Sequence, residues 1–159
     1  MKVYLAGPLF TTYERGYIAE CARAARAAGL TVFVPHEQEF PGGELTPSVV
    51  FAKDNEGLLP ADAVLAILDG PMVDDGTACE IGIFHGMKLA DPSKKGVVGL
   101  ITDSRVVGSG GRDVEHRRVN LYVHGCIESM GAVCTELDEA LAILLRWQRE
   151  LEAGSDVTA

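Results

Sequence analysis

The chain has 159 residues, of which 47% are hydrophobic and 23% charged, and its formal net charge is −9. This length and composition predict one globular domain with an ordinary buried core. The negative charge argues against a nucleic-acid partner, because proteins that bind a nucleic-acid backbone usually present a basic face. The negative charge does not exclude a small nucleoside or nucleotide as a ligand.

The first residues, MKVYLAGPLF, contain one lysine and a short apolar run that is broken by Gly7 and Pro8. A secretory signal peptide requires a longer apolar region. No apolar run in the chain approaches the roughly 20 residues that a membrane span requires. We therefore expect a cytoplasmic protein without a membrane partner.

The four cysteines form no C-x-x-C pair, and the four histidines show no zinc-type spacing with them. Buried free thiols are therefore the expectation for Cys21, Cys79, Cys126 and Cys134. We expect no cofactor, and no metal ion is expected to be needed.

Short apolar or β-rich runs alternate with helical patterns along the whole chain. In chain order, we predict strand Lys2–Ala6, helix Tyr13–Ala28, strand Thr31–Pro35, loop 36–43, helix Thr46 to about Gly57, strand Ala63–Gly70, a helix after an acidic motif to about Ala90, strand Gly96–Asp103, a glycine-rich loop 104–113, helix Val114–Met130, a short strand in GAVCT, and helix Glu136–Glu152. Residues 153–159 are predicted to be a frayed tail.

Strands that alternate with helices predict an α/β fold with a parallel sheet. The continuous apolar runs at Ala63–Gly70 and Gly96–Asp103 are typical of strands that are buried on both faces. We therefore expect a doubly wound, five-stranded sheet in three α/β/α layers, as a single domain over residues 1–152. Ligands of such sheets bind beyond the carboxyl ends of the strands.

Four carboxylates lie at the end of the third predicted strand and just beyond it in DGPMVDDGTACE, at Asp69, Asp74, Asp75 and Glu80. Capping and the helix dipole explain an aspartate at the helix start. Glu80 is different, because Phe84 and Met87 at i+4 and i+7 place it on an apolar face. A carboxylate in that position is suited to act as a base, a metal ligand or a nucleophile. Paired carboxylates also suit attack at the anomeric carbon of a sugar, and the helix start is expected to help keep Glu80 ionised.

Four segments resemble the nucleoside 2-deoxyribosyltransferase family: VYLAGPLF, ADAVLAILDGP, DDGTACEIG and NLYVHG. The resemblance extends from Lys2 to about Trp147, and DDGTACEIG is its most specific part. It implies a flavodoxin-like, doubly wound fold and transfer of 2-deoxyribose between nucleobases through a sugar bound to glutamate. Close relatives hydrolyse the N-glycosidic bonds of nucleosides or nucleotides instead.

The resemblance also implies roles for three catalytic residues. Glu80 matches the nucleophile, and Asp74 matches the aspartate that contacts the base and helps to protonate it. Tyr4 matches the tyrosine whose hydroxyl orients the nucleophile.

Substrate-binding residues are implied in the same way. Asp54 matches, more loosely, a second aspartate on the base side, and Gly7 and Gly76 lie in the matching motifs. Asn120 matches an asparagine that reaches into a neighbouring subunit's site and binds the 5′-hydroxyl of the sugar. A homo-oligomer with shared active sites is therefore implied.

Three functions follow as hypotheses. The first is a deoxyribosyltransferase of nucleotide salvage, whose partners are a nucleoside or nucleotide and a free nucleobase. The second is an N-glycosidase that uses the same glutamate on a nucleoside or a nucleoside 5′-monophosphate. The third, from another class, is a non-catalytic nucleotide-binding domain.

Overall fold

The computed structural model describes residues 1–40, 45–103 and 119–156. Its strands are β1 (Lys2–Ala6), β2 (Thr31–Phe33), β3 (Ala63–Ile67), β4 (Gly96–Leu100) and β5 (Ala132–Cys134). Its helices are α1 (Thr12–Ala27), α2 (Pro47–Leu58), α3 (Asp75–Ala90), α4 (Leu121–Glu128) and α5 (Leu137–Asp156), and a 3₁₀ turn spans Pro35–Glu37.

The strands form one parallel sheet in the order β2-β1-β3-β4-β5. In its centre Leu5 pairs with Leu65, and Leu65 pairs with Val98. Every residue of β3 and β4 is buried, as their continuous apolar sequences predict. The strand order reverses between β1 and β3, which leaves a crevice beyond the carboxyl ends of these two strands.

Apolar side chains cover both faces of the sheet. On one face, Ile18 of α1 and Leu144 of α5 pack in a cluster with β-strand residues. On the other face, Phe84 of α3 and Ile127 of α4 belong to a second cluster that includes Tyr4. The predicted doubly wound fold with three α/β/α layers, of the flavodoxin-like kind, is thus confirmed.

The strands end earlier than the apolar runs predict. The third and fourth strands end at Ile67 and Leu100, although Leu68 still donates a hydrogen bond from its backbone N to the Leu100 carbonyl at 2.9 Å. Beyond that bond, Gly70 has a φ of +138°, a conformation that interrupts an extended ladder. Apolar character therefore continues past the point where regular pairing stops.

The helix predicted over Val114–Met130 begins later, at Leu121, because Asn120 caps it. Residues 114–118, the predicted loop 104–113 and residues 41–44 lie outside the described residues. The last helix continues past Glu152 to Asp156, so residues 153–156 are helical where fraying was expected.

The cysteines differ in their environments. Cys21 and Cys134 are buried as expected, but Cys126 is half-buried and Cys79 is exposed, because α3 turns Cys79 away from the sheet. The expectation of a buried thiol at Cys79 is therefore wrong. No helix in the described ranges is long and apolar enough to cross a membrane.

Candidate active site

Three carboxylates from two helices meet in one cleft at the carboxyl end of the sheet. Asp54 of α2, Asp74 at the start of α3 and Glu80 of α3 line a cavity of about 190 Å³. The remaining lining residues come from the segments after β1 and β2 and from the first turn of α3: Gly7, Leu9, Phe10, Pro35, Gly76 and Thr77. The predicted acidic residues are thus brought together where the doubly wound fold binds its ligands.

Tyr4 and Glu80 form a direct pair inside this region. The Tyr4 hydroxyl donates a hydrogen bond to Glu80 Oε1 at 2.5 Å. Tyr4 is fully buried in β1, and its ring stacks on Phe33 of β2 with the ring centroids 5.7 Å apart. Since Oε1 is held in this way, Oε2 is the Glu80 oxygen that remains for a ligand; it accepts no hydrogen bond from the described residues.

Burial raises the pKa of Glu80 from 4.5 to about 7, against the opposing effect of the Tyr4 hydrogen bond. The charges of Asp54 and Asp74 raise this pKa further. The expectation that the start of α3 would keep Glu80 ionised is therefore corrected, because lost hydration outweighs the stabilising contacts. The pKa of Tyr4 is raised by burial and by the Glu80 charge, so Tyr4 remains a neutral donor.

Asp74 is the N-cap of α3. Its Oδ2 accepts hydrogen bonds from the Thr77 backbone N at 2.9 Å and from Thr77 Oγ1 at 3.1 Å. Its Oδ1 accepts no hydrogen bond from the described residues. Asp75 is exposed and accepts a hydrogen bond from the Gly76 N, so it serves the helix start.

Asp54 has an unusual carboxyl group. Its Oδ1 is buried without a hydrogen-bond partner among the described residues, and burial raises its pKa. A buried polar atom that lacks a partner costs free energy, so it needs an explanation. A ligand with an N–H donor in the cleft would supply the missing partner.

The glycines that were predicted to bind substrate both line the cleft. A methyl group at Gly7 would lie 2.6 Å from Ile18 Cδ1, so glycine lets the segment after β1 pass close to α1. A methyl group at Gly76 would lie 3.1 Å from Asp74 Oδ2.

Asn120 is placed differently from the other predicted residues. Its Oδ1 accepts hydrogen bonds from the backbone N of Tyr122 at 2.9 Å and of Val123 at 3.4 Å, which caps α4. Asn120 is not among the residues that line the cleft of its own chain. The next two side chains, Leu121 and Tyr122, are 45% and 88% exposed.

Sequence reasoning missed two residues that shape the site. Thr77 lies in the acidic motif, and its backbone N–H is the donor that bonds to an N-cap aspartate, but no sequence signal indicates that its hydroxyl bonds the same oxygen. Phe33 fixes the Tyr4 ring from a neighbouring strand, and no local pattern indicates that contact. In the described ranges, no group of three or more His, Cys, Asp or Glu side chains is arranged to hold a metal ion.

The sequence family of nucleoside 2-deoxyribosyltransferases matches residues 3–135 of the chain. A comparison with curated protein sequences finds no match. Among solved structures, a conserved protein from Enterococcus faecalis V583 is 27% identical with a TM-score of 0.74, and the match covers 92% of this chain and 98% of that one.

Two similar structures are deoxyribosyltransferases. The 2-deoxyribosyltransferase of Bacillus psychrosaccharolyticus is 25% identical with a TM-score of 0.61, and the match covers 89% of this chain and 90% of that one. The enzyme of the same kind from Leishmania mexicana is 20% identical with a TM-score of 0.55 over 77% of this chain and 85% of that one, which shows the shared fold. These matches support an activity of the deoxyribosyltransferase type, and the chain belongs to the nucleoside 2-deoxyribosyltransferase family.

Proposed function

We propose that the protein transfers 2-deoxyribose from a nucleoside to a free nucleobase, with Glu80 as the covalent nucleophile. The observation that carries this proposal is the Tyr4–Glu80 hydrogen bond in a cleft that two further carboxylates line. A held carboxylate beside an acid is the arrangement that a double displacement at an anomeric carbon requires. Such a reaction belongs to nucleotide salvage.

In the first half-reaction, Glu80 Oε2 attacks C1′ of the sugar. The C1′–N bond breaks and its electron pair stays on the departing base, while Asp74 gives a proton to a base nitrogen. The Tyr4 hydroxyl keeps Oε1 in place throughout, which directs Oε2 toward the sugar. The product is a 2-deoxyribosyl ester of Glu80.

In the second half-reaction, a nitrogen of the incoming base attacks C1′ and the bond between C1′ and Glu80 breaks. The Asp74 carboxylate takes up the proton that this nitrogen loses. The unpartnered Oδ1 of Asp54 is suited to accept an N–H of either base, which would hold the base in the plane needed for attack. Attack by water at this stage would make the protein a hydrolase.

The same proposal includes an oligomer with shared sites. Asn120 lies outside its own chain's cleft, and exposed apolar side chains follow it at the start of α4. A contiguous apolar surface beside a polar residue of this kind suits contact with a second copy of the chain. Asn120 would then contact the sugar in the partner's cleft.

Incubation with deoxyinosine, with and without free adenine, tests the activity. A transferase gives deoxyadenosine and hypoxanthine when adenine is present. Hypoxanthine release that does not depend on adenine would indicate the N-glycosidase instead. Glu80→Ala is the control for contaminating enzymes and should be slower by at least ~10³-fold, because the covalent route is lost. If neither exchange nor release occurs with any purine or pyrimidine deoxynucleoside, the result favours a non-catalytic binding domain.

A further inference from the structure

We propose that Thr77 is a positioning residue that determines which oxygen of Asp74 carries the proton for the departing base. The inference rests on the proposed role of Asp74 as the acid. It adds a residue to that role, since no sequence pattern gave Thr77 a part in the reaction.

The two oxygens of Asp74 are in unequal surroundings. Oδ2 accepts hydrogen bonds from both the backbone N and the hydroxyl of Thr77, at 2.9 and 3.1 Å, whereas Oδ1 accepts none from the described residues. A proton on Oδ2 would lie against the backbone N–H and the hydroxyl of Thr77, which both already donate to that oxygen. The protonated acid therefore carries its proton on Oδ1, the oxygen that is free to meet a ligand in the cleft.

The Thr77 hydroxyl is held where it cannot turn to water. Thr77 is 1% exposed. A buried hydroxyl needs a hydrogen-bond partner, and the hydrogen-bond partner of this one is Asp74 Oδ2. Capping of α3 needs an acceptor for the backbone N–H only, so the hydroxyl adds a second donor beyond what the helix start requires.

The Thr77 hydroxyl stabilises Asp74 while the proton is transferred. As the C1′–N bond breaks, the proton on Oδ1 moves to the base nitrogen and the electrons of the O–H bond stay on Asp74. Negative charge grows on the carboxylate, and hydrogen bonds to a charged acceptor are stronger than those to a neutral one. The Thr77 hydroxyl therefore favours the transition state over the bound substrate.

The test compares two donor substrates in Thr77→Val, which keeps the branched shape and removes the hydroxyl. Deoxyinosine needs a proton on its leaving base, but N7-methylated deoxyinosine already carries a positive charge there and leaves as a neutral base. The rate compared is the single-turnover release of the base without an acceptor, because the second half-reaction is the same for both donors. For deoxyinosine this rate should fall about 10-fold or more, the effect of one lost hydrogen bond to a charged group. For the methylated donor the fall should stay below about 2-fold, and the donor concentration that gives the half-maximal rate should change little for both.

Three further variants make the comparison decisive. Thr77→Ser restores the hydroxyl and should restore most of the deoxyinosine rate. Thr46→Val removes the hydroxyl that caps α2, outside the cleft, and should leave the ratio of the two rates unchanged. Asp74→Asn should slow deoxyinosine selectively, as the acid role requires. Should Thr77→Val fail to fold in a thermal scan, Thr77→Ala takes its place in the same comparison.

Two results would overturn the inference in distinguishable ways. If Asp74→Asn is selective for deoxyinosine but the Thr77 variant slows both donors equally or neither, Thr77 has no part in the proton transfer and the proposed function stands. If Asp74→Asn slows both donors equally, Asp74 is not the acid, and the role of Thr77 fails together with that part of the proposed function.

Discussion

At the residue scale, the proposed role of Glu80 predicts how the reaction depends on pH. A nucleophilic Glu80 has to attack as a carboxylate, so kcat/KM should fall as the pH drops below its pKa of about 7. Tyr4→Phe removes the hydrogen bond that lowers this pKa and should move the acid limb to higher pH. Asp54→Asn removes a charge that raises the pKa and should move the limb to lower pH.

Profiles of kcat/KM from about pH 5 to 9 for wild type and both variants measure these shifts. Deoxyinosine with adenine serves as the substrate pair. Shifts in the same direction, or no shift in either variant, would contradict the electrostatic account of Glu80.

The same pKa makes a prediction about stability. Burial raises the pKa of Glu80 from 4.5 to about 7, so the folded state binds the proton more tightly than the unfolded state does. The cost of ionising Glu80 in the fold is therefore absent below pH 4.5, grows between pH 4.5 and 7, and is complete above pH 7. Glu80→Gln has no such cost and should be more stable than wild type at pH 8, by at most about 3 kcal/mol.

Urea unfolding at two pH values checks this prediction. The advantage of Glu80→Gln should be largest at pH 8 and should shrink toward zero near pH 4.5. Glu136→Gln, at an exposed position, is the matched control and should show no comparable pH-dependent gain. An advantage of Glu80→Gln that is constant with pH would mean that packing, and not ionisation, explains it.

Short motifs were enough to name the carboxylates that meet in the candidate site, but their protonation was not predictable. Asp54, Asp74 and Glu80 follow a strand or lie on the helices beside the sheet, and the parallel fold brings such positions to one edge, next to Tyr4 of β1. The degree of burial of Glu80 depends on packing between distant elements, which spacing along the chain does not reveal. The second hydrogen bond on Asp74, by contrast, is local, because Thr77 lies three residues further along the chain.

At the element scale, the contact between α2 and β2 supports the position of Tyr4. A methyl group at Gly57 would lie 2.2 Å from the Phe33 ring, and Phe33 stacks on Tyr4. Gly57→Ala in a helix would ordinarily stabilise by about 0.5–1 kcal/mol. Here the overlap must displace the aromatic ring, so the variant should lose stability by about 1 kcal/mol or more and also lose activity.

Gly16→Ala in α1 is the matched control, because apart from the neighbouring backbone of its own helix no atom lies within 4 Å of the added methyl group. It should be slightly more stable than wild type and fully active. Thermal unfolding and exchange rates measure both variants. Equal gains in stability for the two substitutions would show that Phe33 moves aside at no cost and does not hold Tyr4.

The ends of the elements were less predictable than their existence. Apolar residues continue beyond Ile67 and Leu100, because the loops at the carboxyl end of the sheet are also partly buried. Hydrophobicity reports burial and not the backbone pairing that defines a strand. The start of α4 lies later than predicted, because the side chain of Asn120, a good N-cap residue, caps the helix at Leu121.

At the scale of the whole molecule, shared sites predict recovery of activity when two inactive variants are mixed. Glu80→Ala lacks the proposed nucleophile. Asn120→Ser removes the carboxamide but keeps a hydroxyl that caps α4. Under conditions that allow subunit exchange, some mixed oligomers should hold one site with both residues intact, and activity should partly return.

Each variant alone is the baseline, and differently tagged chains demonstrate the exchange. A mixture of Glu80→Ala with Asp74→Asn is the matched control, because both residues line the cleft of a single chain and no arrangement of subunits restores such a site. No recovery with Asn120→Ser, despite exchange, would place Asn120 outside the partner's site.

The overall architecture was the part that the sequence predicted best. Alternating strands and helices indicate a parallel sheet with helices on both faces, and the described strands form it in the order β2-β1-β3-β4-β5. An oligomer was much harder to infer, because a single sequence does not distinguish an apolar surface that contacts a partner from one that packs on its own sheet. Leu121 and Tyr122 are exposed in the structure, so these two side chains do not pack on the sheet of their own chain.

The central claim, that Glu80 carries the sugar, is tested most directly by mass spectrometry of the enzyme during turnover. The protein is mixed with deoxyinosine without an acceptor and quenched in acid. We predict a mass increase of one 2-deoxyribosyl group, located on the peptide that contains Glu80, removed by added adenine and absent in Glu80→Gln. Full exchange activity with no adduct, or an adduct on another side chain such as Asp74 or Cys79, would contradict the account.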